Sequence, residues 1–224
     1  MIPALNEEAN IAKAIRSAHD NGVRNVIVAD GGSTDNTITL AQSHQAVVVH
    51  TQPGRGLQLA HAARLSNAPM LLFLHADNWL ETDCVEQLCR HANGCTNLGH
   101  TDQSLWGGFR QRIDEAGISY RLLESGNAMR IRLRGLPFGD QAMFVDRKLY
   151  QSVGGFQTNP LMEDVVLSQA LRRRSWPVLI DACVHVDARR WKKRGIVRQT
   201  LRNWGIQTAH FLGVRERQLH RWYR

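Results

Sequence analysis

Long apolar runs are missing from this sequence. The longest mostly apolar stretch, Ala68 to Leu74, has only the length of a strand, and no basic segment followed by a signal-type apolar run stands at the start. Neither a membrane span nor export is expected. Cysteine is scarce as well: Cys84, Cys89, Cys95 and Cys183 include no CxxC pair. That spacing argues against a zinc site and suits reduced thiols in a cytoplasmic protein. Acids are nearly absent from the final segment, where residues 189–224 hold eleven Lys and Arg against Glu216 alone. The preceding 188 residues carry 17 basic and 19 acidic side chains, so the formal charge of +8 belongs to the tail. Such a tail suits anionic lipid, nucleic acid, a phosphorylated acceptor or plain water, and composition does not choose among them. Internal repeats and low-complexity segments are lacking too.

What is present is enough apolar material, 43% of 224 residues, for one substantial core. The expected organisation is a single domain over 1–188 with a basic amphipathic tail over 189–224. Asn6 is placed to cap a first helix with Glu7 and Glu8 in its opening turn and Ile11, Ile15 and Ala18 on one face. Asn25 to Ala29 reads as a buried strand, Asp30 to Asp35 as a turn, and a second helix runs to about Ser43. Ala46 to His50 is the next strand. Pro53-Gly54-Arg55-Gly56 turns into a helix through about Leu65, and Met70 to Leu74 is a strand ending at His75-Ala76-Asp77. This alternation predicts an α/β fold with a doubly wound, mostly parallel, right-handed sheet. Further on, a helix is expected at Asp83 to Ala92, a loop at Asn93 to Gln103, and strands at Trp106 to Ile113 and Gln141 to Val145. The segment from Ser125 to Gly139 reads as a loop shaping the pocket. A helix from Asp164 to Arg173 directs Val165, Leu167 and Leu171 inward, and short strands follow at Val178 to Ile180 and Cys183 to Val186. Beyond Gly195, Val197, Leu201, Trp204, Thr208 and Phe211 fall at helical spacing.

Carboxylates recur where strands give way to turns: Asp30, Asp77 and the pair Glu163-Asp164. Open α/β sheets bind ligands at such strand ends. The segments Ile2-Pro3-Ala4-Leu5-Asn6-Glu7-Glu8, Val28-Ala29-Asp30-Gly31-Gly32-Ser33-Thr34-Asp35, His75-Ala76-Asp77 and Met162-Glu163-Asp164 resemble, in order, the motifs of family 2 glycosyltransferases of the GT-A fold. Val153-Gly154-Gly155-Phe156 extends the likeness. Gly139-Asp140-Gln141 and Ala188-Arg189-Arg190-Trp191 resemble the arsenosugar-biosynthesis-type branch. Only Met1-Ile2 precede the first motif, where the family has several apolar residues, so a missing first central strand is expected.

The resemblance implies a hexosyltransferase-like enzyme that moves a sugar from a nucleoside-diphosphate sugar to an acceptor hydroxyl, metal-assisted and inverting. It implies that Pro3, Asn6, Glu7 and Asp30 line the base and ribose end of the donor, although Asn6 and Glu7 also read as simple capping residues. Arg55, between two glycines at a helix start, suits a phosphate neighbour. His75-Ala76-Asp77 stands where the family has Asp-x-Asp, so Asp77 is the metal and diphosphate candidate for Mg²⁺ or Mn²⁺, with His75 either a ligand or a bystander. Asp164 takes the place of the catalytic base, and Glu163, Gln141, Arg190 and Trp191 are candidates for the acceptor or the diphosphate. The arginines and tryptophan read equally as a solvated run covered by one aromatic. The acceptor is a hydroxyl compound, with lipid-linked ones among the candidates, and the basic tail suits peripheral contact with the inner membrane face. No nucleic acid partner is expected. Two rivals stay open: a degenerate nucleotide-sugar binder without turnover, and a module driven by the basic tail.

Overall fold

The computed structural model describes residues 1–97, 105–157 and 162–195, with residues 202, 205 and 209 beyond them. The amphipathic helix predicted past Gly195 lies outside the described residues apart from those three positions. The first half alternates as predicted: β1 (Ile2–Ala4), α1 (Ile11–Asp20), β2 (Ile27–Asp30), α2 (Thr37–Ser43), β3 (Val47–His50), α3 (Arg55–Leu65) and β4 (Met70–Leu72). The second half contains β5 (Asn78–Leu80), α4 (Cys84–Asn97), β6 (Trp106–Ile113), α5 (Ile118–Arg134), a 3-10 turn (Gly139–Gln141), β7 (Phe144–Asp146), α6 (Arg147–Ser152), α7 (Glu163–Arg172), β8 (Val178–Val186) and α8 (Arg189–Arg194).

β1, β2 and β3 pair in parallel, in that order. β2 is buried on both faces, which its Ile-Val-Ala run permits. The remaining strands form a five-stranded sheet ordered β4-β7-β6-β8-β5, in which only β6 and β8 run parallel. The predicted parallel sheet is therefore the N-terminal one, and the rest is mixed. Met1 stitches the two together: its amino group donates to Leu72 O at 2.7 Å and its carbonyl accepts from Leu74 N at 3.0 Å. The first central strand expected to be missing is thus present, three residues long and paired.

Between β6 and β8, Gly107 sits opposite Val178 so closely that an added Cβ would overlap the Val178 carbonyl oxygen. Only glycine permits that approach. Ile2, Ile11, Ile15, Val28, Phe109, Phe144 and Val184 fill one core cluster, and Leu71, Phe73, Trp106, Leu167 and Leu171 fill a second.

Several expectations are corrected. Asn6 is not the first helix's cap: it lies at φ 53, and the helix starts at Ile11 with Asn10 as its N-cap residue. α4 continues through Asn97 instead of ending at Ala92, and residues 98–104 lie outside the described set. The segment read as a loop from Ser125 is the body of α5, whose arginines and outward apolar residues blur its period. Gln141 closes a 3-10 turn and does not begin a strand. The two short strands after Pro177 are one, because alternation continues through Asp181.

Candidate active site

The carboxyl ends of β1 and β2 and the residues after β4 converge on one cleft. Asp30 ends β2 fully buried, and its carboxylate accepts from Gly32 N at 2.9 Å and Ser33 N at 3.1 Å. Those bonds fold the glycine turn around the acid. Gln58 of α3 reaches under the same turn, donating to Ala4 O at 2.8 Å and Ala29 O at 2.7 Å. Asn6, held left-handed, accepts from Thr34 N at 2.8 Å while its own N–H donates to Ser33 Oγ at 2.9 Å. Asn6 therefore locks the β1 loop to the β2 loop, and it does so without capping a helix.

Glu7 follows β1 of one sheet and Asp77 lies between β4 and β5 of the other, yet the two share one cation. Arg189 donates through Nη2 to Glu7 at 3.0 and 3.2 Å and to Asp77 Oδ2 at 3.2 Å. Partial burial disfavours its charge, but hydrogen bonding and attraction from Glu7, reinforced by Asp77, hold the guanidinium above its ordinary range. Arg189 begins α8, where Asp187 accepts from its backbone N–H at 2.8 Å. The predicted candidate was its neighbour Arg190, which lies in α8 with its side chain outside the described set. Trp191 is half-buried and packs on the cluster of Ile113, Tyr120 and Ala188.

Across the cleft, Pro3, His75, Gly139, Glu163 and Asp164 line one pocket with Leu59, Phe73 and Phe156. Met162, left-handed at φ 62, turns the chain into α7 so that Glu163 and Asp164 open the helix. Asp164 Oδ2 accepts from Gly139 N at 2.8 Å. The His75 ring lies so close to Gly139 that an added Cβ would collide with Nε2. His75 therefore faces the Asp164 side of the pocket. Glu163 is buried and pairs with Arg55 at 3.2 Å. Burial pushes the Glu163 carboxyl above its ordinary value, and Asp164 adds to this, with Arg55 opposing. Arg55, expected as a phosphate neighbour, pairs here with the second acid.

Behind Gly139 lies a polar network that sequence reasoning missed. Arg130 of α5 donates to Leu136 O at 3.1 Å, Asn127 Oδ1 at 3.1 Å and Gln141 Oε1 at 2.7 Å, with its guanidinium 3.5 Å over the Phe138 ring. Asn127 donates to Gln111, which donates to Asp140 at 3.0 Å, and Asp140 O accepts from Asn78. Burial brings the Arg130 guanidinium down to about 10, against the pull of Asp140 and Asp164. Gln141 is fully buried, with Nε2 unpartnered among the described residues. The motif Gly139-Asp140-Gln141 was the available signal for this network. Nothing local marked Arg130.

A divalent cation is implied by the family resemblance. Among the described residues, no cluster of three or more His, Cys, Asp or Glu assembles. Asp77 would hold such an ion as a single carboxylate ligand, in place of or beside the Arg189 guanidinium that pairs with it at 3.2 Å. Diphosphate and water would complete the coordination, as hard Mg²⁺ allows.

Fold and cleft together define an α/β protein of the GT-A type, with Glu7 and Asp30 at the carboxyl ends of parallel strands, Asp77 after β4 and Glu163-Asp164 at the start of α7. The family model "Glycosyl transferase family 2" matches residues 1–175, and the chain belongs to that family. Glycosyltransferase AglJ of Haloferax volcanii is 40% identical over 91 residues, covering 39% of this chain and 30% of that protein. An uncharacterised glycosyltransferase of Mycobacterium tuberculosis is 33% identical over 89 residues, 39% of this chain and 40% of its own length. These matches span well under half the length of the curated relatives. Among solved structures, S. aureus TarS 1-349 superposes with a TM-score of 0.65 at 14% identity, covering 84% of this chain and 59% of that one. Mannosyltransferase PcManGT of Pyrobaculum calidifontis, in complex with GDP-Man and Mn²⁺, gives 0.65 at 17% identity, covering 94% and 60%. At such identities the likeness establishes the fold.

Proposed function

We propose that this protein transfers a sugar from a nucleoside-diphosphate sugar to an acceptor hydroxyl with inversion, using Asp164 as the base. The observation that carries this reading is the Asp164 carboxylate, fixed by Gly139 N at 2.8 Å in the wall of a pocket shared with His75 and Glu163. The donor's base and ribose lie along Pro3, Asn6, Glu7 and the Asp30 turn, and its diphosphate lies near Asp77 and Arg189. As the acceptor oxygen bonds to the anomeric carbon, the carbon–phosphate oxygen bond breaks and its electron pair leaves with the diphosphate. Asp164 takes the acceptor proton, and Arg189 is placed to meet the growing negative charge. A divalent ion at Asp77 would supply further positive charge to the leaving group. Relatives crystallised with UDP-GlcNAc, UDP-Glc and GDP-Man fit a sugar-nucleotide donor without selecting the sugar.

The test is Asp164→Asn. Asparagine still offers an oxygen to Gly139 N, so calorimetric binding of the nucleotide sugar stays within error. Turnover falls about 10²- to 10⁴-fold, the usual contribution of a general base. Unchanged turnover removes Asp164 from the reaction.

One observation favours a second reading of the cation. Arg189 already bridges Glu7 and Asp77, so it is placed to neutralise the diphosphate without metal. Activity that survives chelator selects this reading, and activity lost to chelator and restored by Mn²⁺ or Mg²⁺ rejects it.

A further inference from the structure

α5 exposes an apolar row to solvent. Its Tyr120, Ala128 and Ile131 are buried against the body of the protein. Its Ile118, Leu122, Met129 and Leu133 are 81%, 67%, 50% and 70% exposed. Spacings of four, seven and four residues place these side chains within about 60° of arc, on the side away from the buried residues. Ser125 and Gly126, both exposed, fill the interval. The helix has 17 residues, so the row extends along roughly 25 Å. Scattered exposed apolar residues are ordinary, whereas a continuous row marks a contact surface.

The charge beside this row identifies what it contacts. Among the described residues, Arg121 and Arg132 of α5, with Arg110 and Arg112 of neighbouring β6, form ion pairs with two carboxylates, Asp181 and Glu124. Four guanidinium groups on two acids leave a surplus of positive charge at the edge of an apolar line. Three of the four are about half exposed, at 45% for Arg110, 53% for Arg112 and 54% for Arg132. Apolar side chains that enter the acyl boundary, with cations at the depth of lipid phosphates, form an interfacial membrane helix. A neutral protein partner would leave that surplus uncompensated.

We propose that α5 lies on an anionic bilayer, inserting Ile118, Leu122, Met129 and Leu133 while the surrounding arginines meet lipid phosphates. The basic tail was the segment expected from sequence to touch membrane, and α5 is a separate surface. Gly135, left-handed at φ 62, ends α5 and leads directly into the loop that carries Gly139 and hence the Asp164 contact. A bilayer under α5 would therefore lie on the side of the pocket formed by that loop. The inference rests on surface geometry alone and does not depend on the transfer reaction.

The experiment is co-sedimentation of the full chain with phosphatidylcholine vesicles, with and without phosphatidylglycerol. Two variants are compared with wild type: Ile118→Ser/Leu122→Ser/Leu133→Ser, and Arg112→Glu/Arg132→Glu. The altered side chains are exposed, so thermal midpoints near wild type are expected and are checked first. Wild type sediments with the anionic vesicles and much less with the neutral ones. The apolar triple variant loses at least about tenfold in partitioning, from several methylene groups withdrawn from the interface. The double charge reversal loses binding chiefly on the anionic vesicles. Wild type that ignores anionic vesicles overturns the proposal. So does a triple variant that binds as wild type, which would assign the contact to the basic residues beyond Arg189. A triple variant that abolishes self-association measured by light scattering, with no vesicle binding by wild type, overturns it in favour of a second copy.

Discussion

Removing the Arg130 guanidinium tests whether the loop before α7 is held by the network behind it. In Arg130→Met, three hydrogen bonds disappear, to Leu136 O, Asn127 Oδ1 and Gln141 Oε1, together with the stacking on Phe138. Bonds made by a charged donor contribute about 1.5–3 kcal/mol each. Their sum overstates the loss, because the variant no longer has to desolvate a cation and methionine refills part of the space. A net destabilisation of about 2–3 kcal/mol follows, and for a chain of this size the thermal midpoint falls by about 4–12 °C. Gln141 Oε1 keeps only the Phe138 N–H, at 3.3 Å, so the turn that presents Gly139 N to Asp164 loosens. Turnover should therefore drop more than donor affinity. Arg130→Lys retains the charge without the fork and recovers only part of the midpoint. The assays are thermal and guanidinium unfolding, then steady-state kinetics at saturating donor. A methionine variant melting within about 1 °C of wild type would refute the reasoning.

Glu163→Gln reads the buried acid through pH. The folded carboxyl binds its proton more tightly than the ordinary 4.5, so folding retains that proton over a range in which the unfolded chain releases it. Stability from this group is present below 4.5 and is lost as pH rises through the raised value. The glutamine variant should therefore gain on wild type toward neutral pH and show no advantage at low pH. A stability difference that does not change with pH would contradict this. Gly107→Ala forces a methyl group into the Val178 carbonyl and should cost about 3 kcal/mol or more in urea unfolding. A loss below about 1 kcal/mol would mean the β6–β8 pair can open. Arg189→Met removes the cation between Glu7 and Asp77 and, in the presence of chelator, should weaken nucleoside-diphosphate binding about tenfold or more, the magnitude of one charge-assisted bond. Equal calorimetric affinities would deny Arg189 a place at the diphosphate.

The sequence carries the first half of the fold openly because each strand is short, apolar and bounded by turn residues. Asp30 and Asp77 were legible for the same reason: polarity begins where a buried strand ends. α5 was hidden because its exposed side is as apolar as its buried one, and an outward Leu or Ile looks no different in a sequence from an inward one. Asn6 invited a capping role that its left-handed backbone denies it. Of the four non-glycine residues at positive φ among the described residues, three border site segments: Asn6, Ala142 beside Gln141, and Met162 before Glu163. Sequence periodicity carries no record of such backbone states, which persist where surrounding contacts enforce them. Arg189 and Arg130 act across 182 and 11 residues, to Glu7 and Gln141 respectively. The sequence supplied the residue types for these contacts, and only the folded chain supplied the pairings.

The bridge from Arg189 to Glu7 and Asp77 has a consequence for biosynthesis. Glu7 and Asp77 emerge from the ribosome long before the arginine that joins them, which is 182 residues after the first and 112 after the second. Until Arg189 is made, the growing chain can form its parallel sheet and the turn around Asp30, but the two cleft carboxylates have no Arg189 guanidinium between them. The cleft then carries excess negative charge, unfavourable for a diphosphate. The bridge itself cannot form until β8 has been laid down and α8 has followed it. The guanidinium that joins the two acids is thus made only after both of them and after every strand of the two sheets.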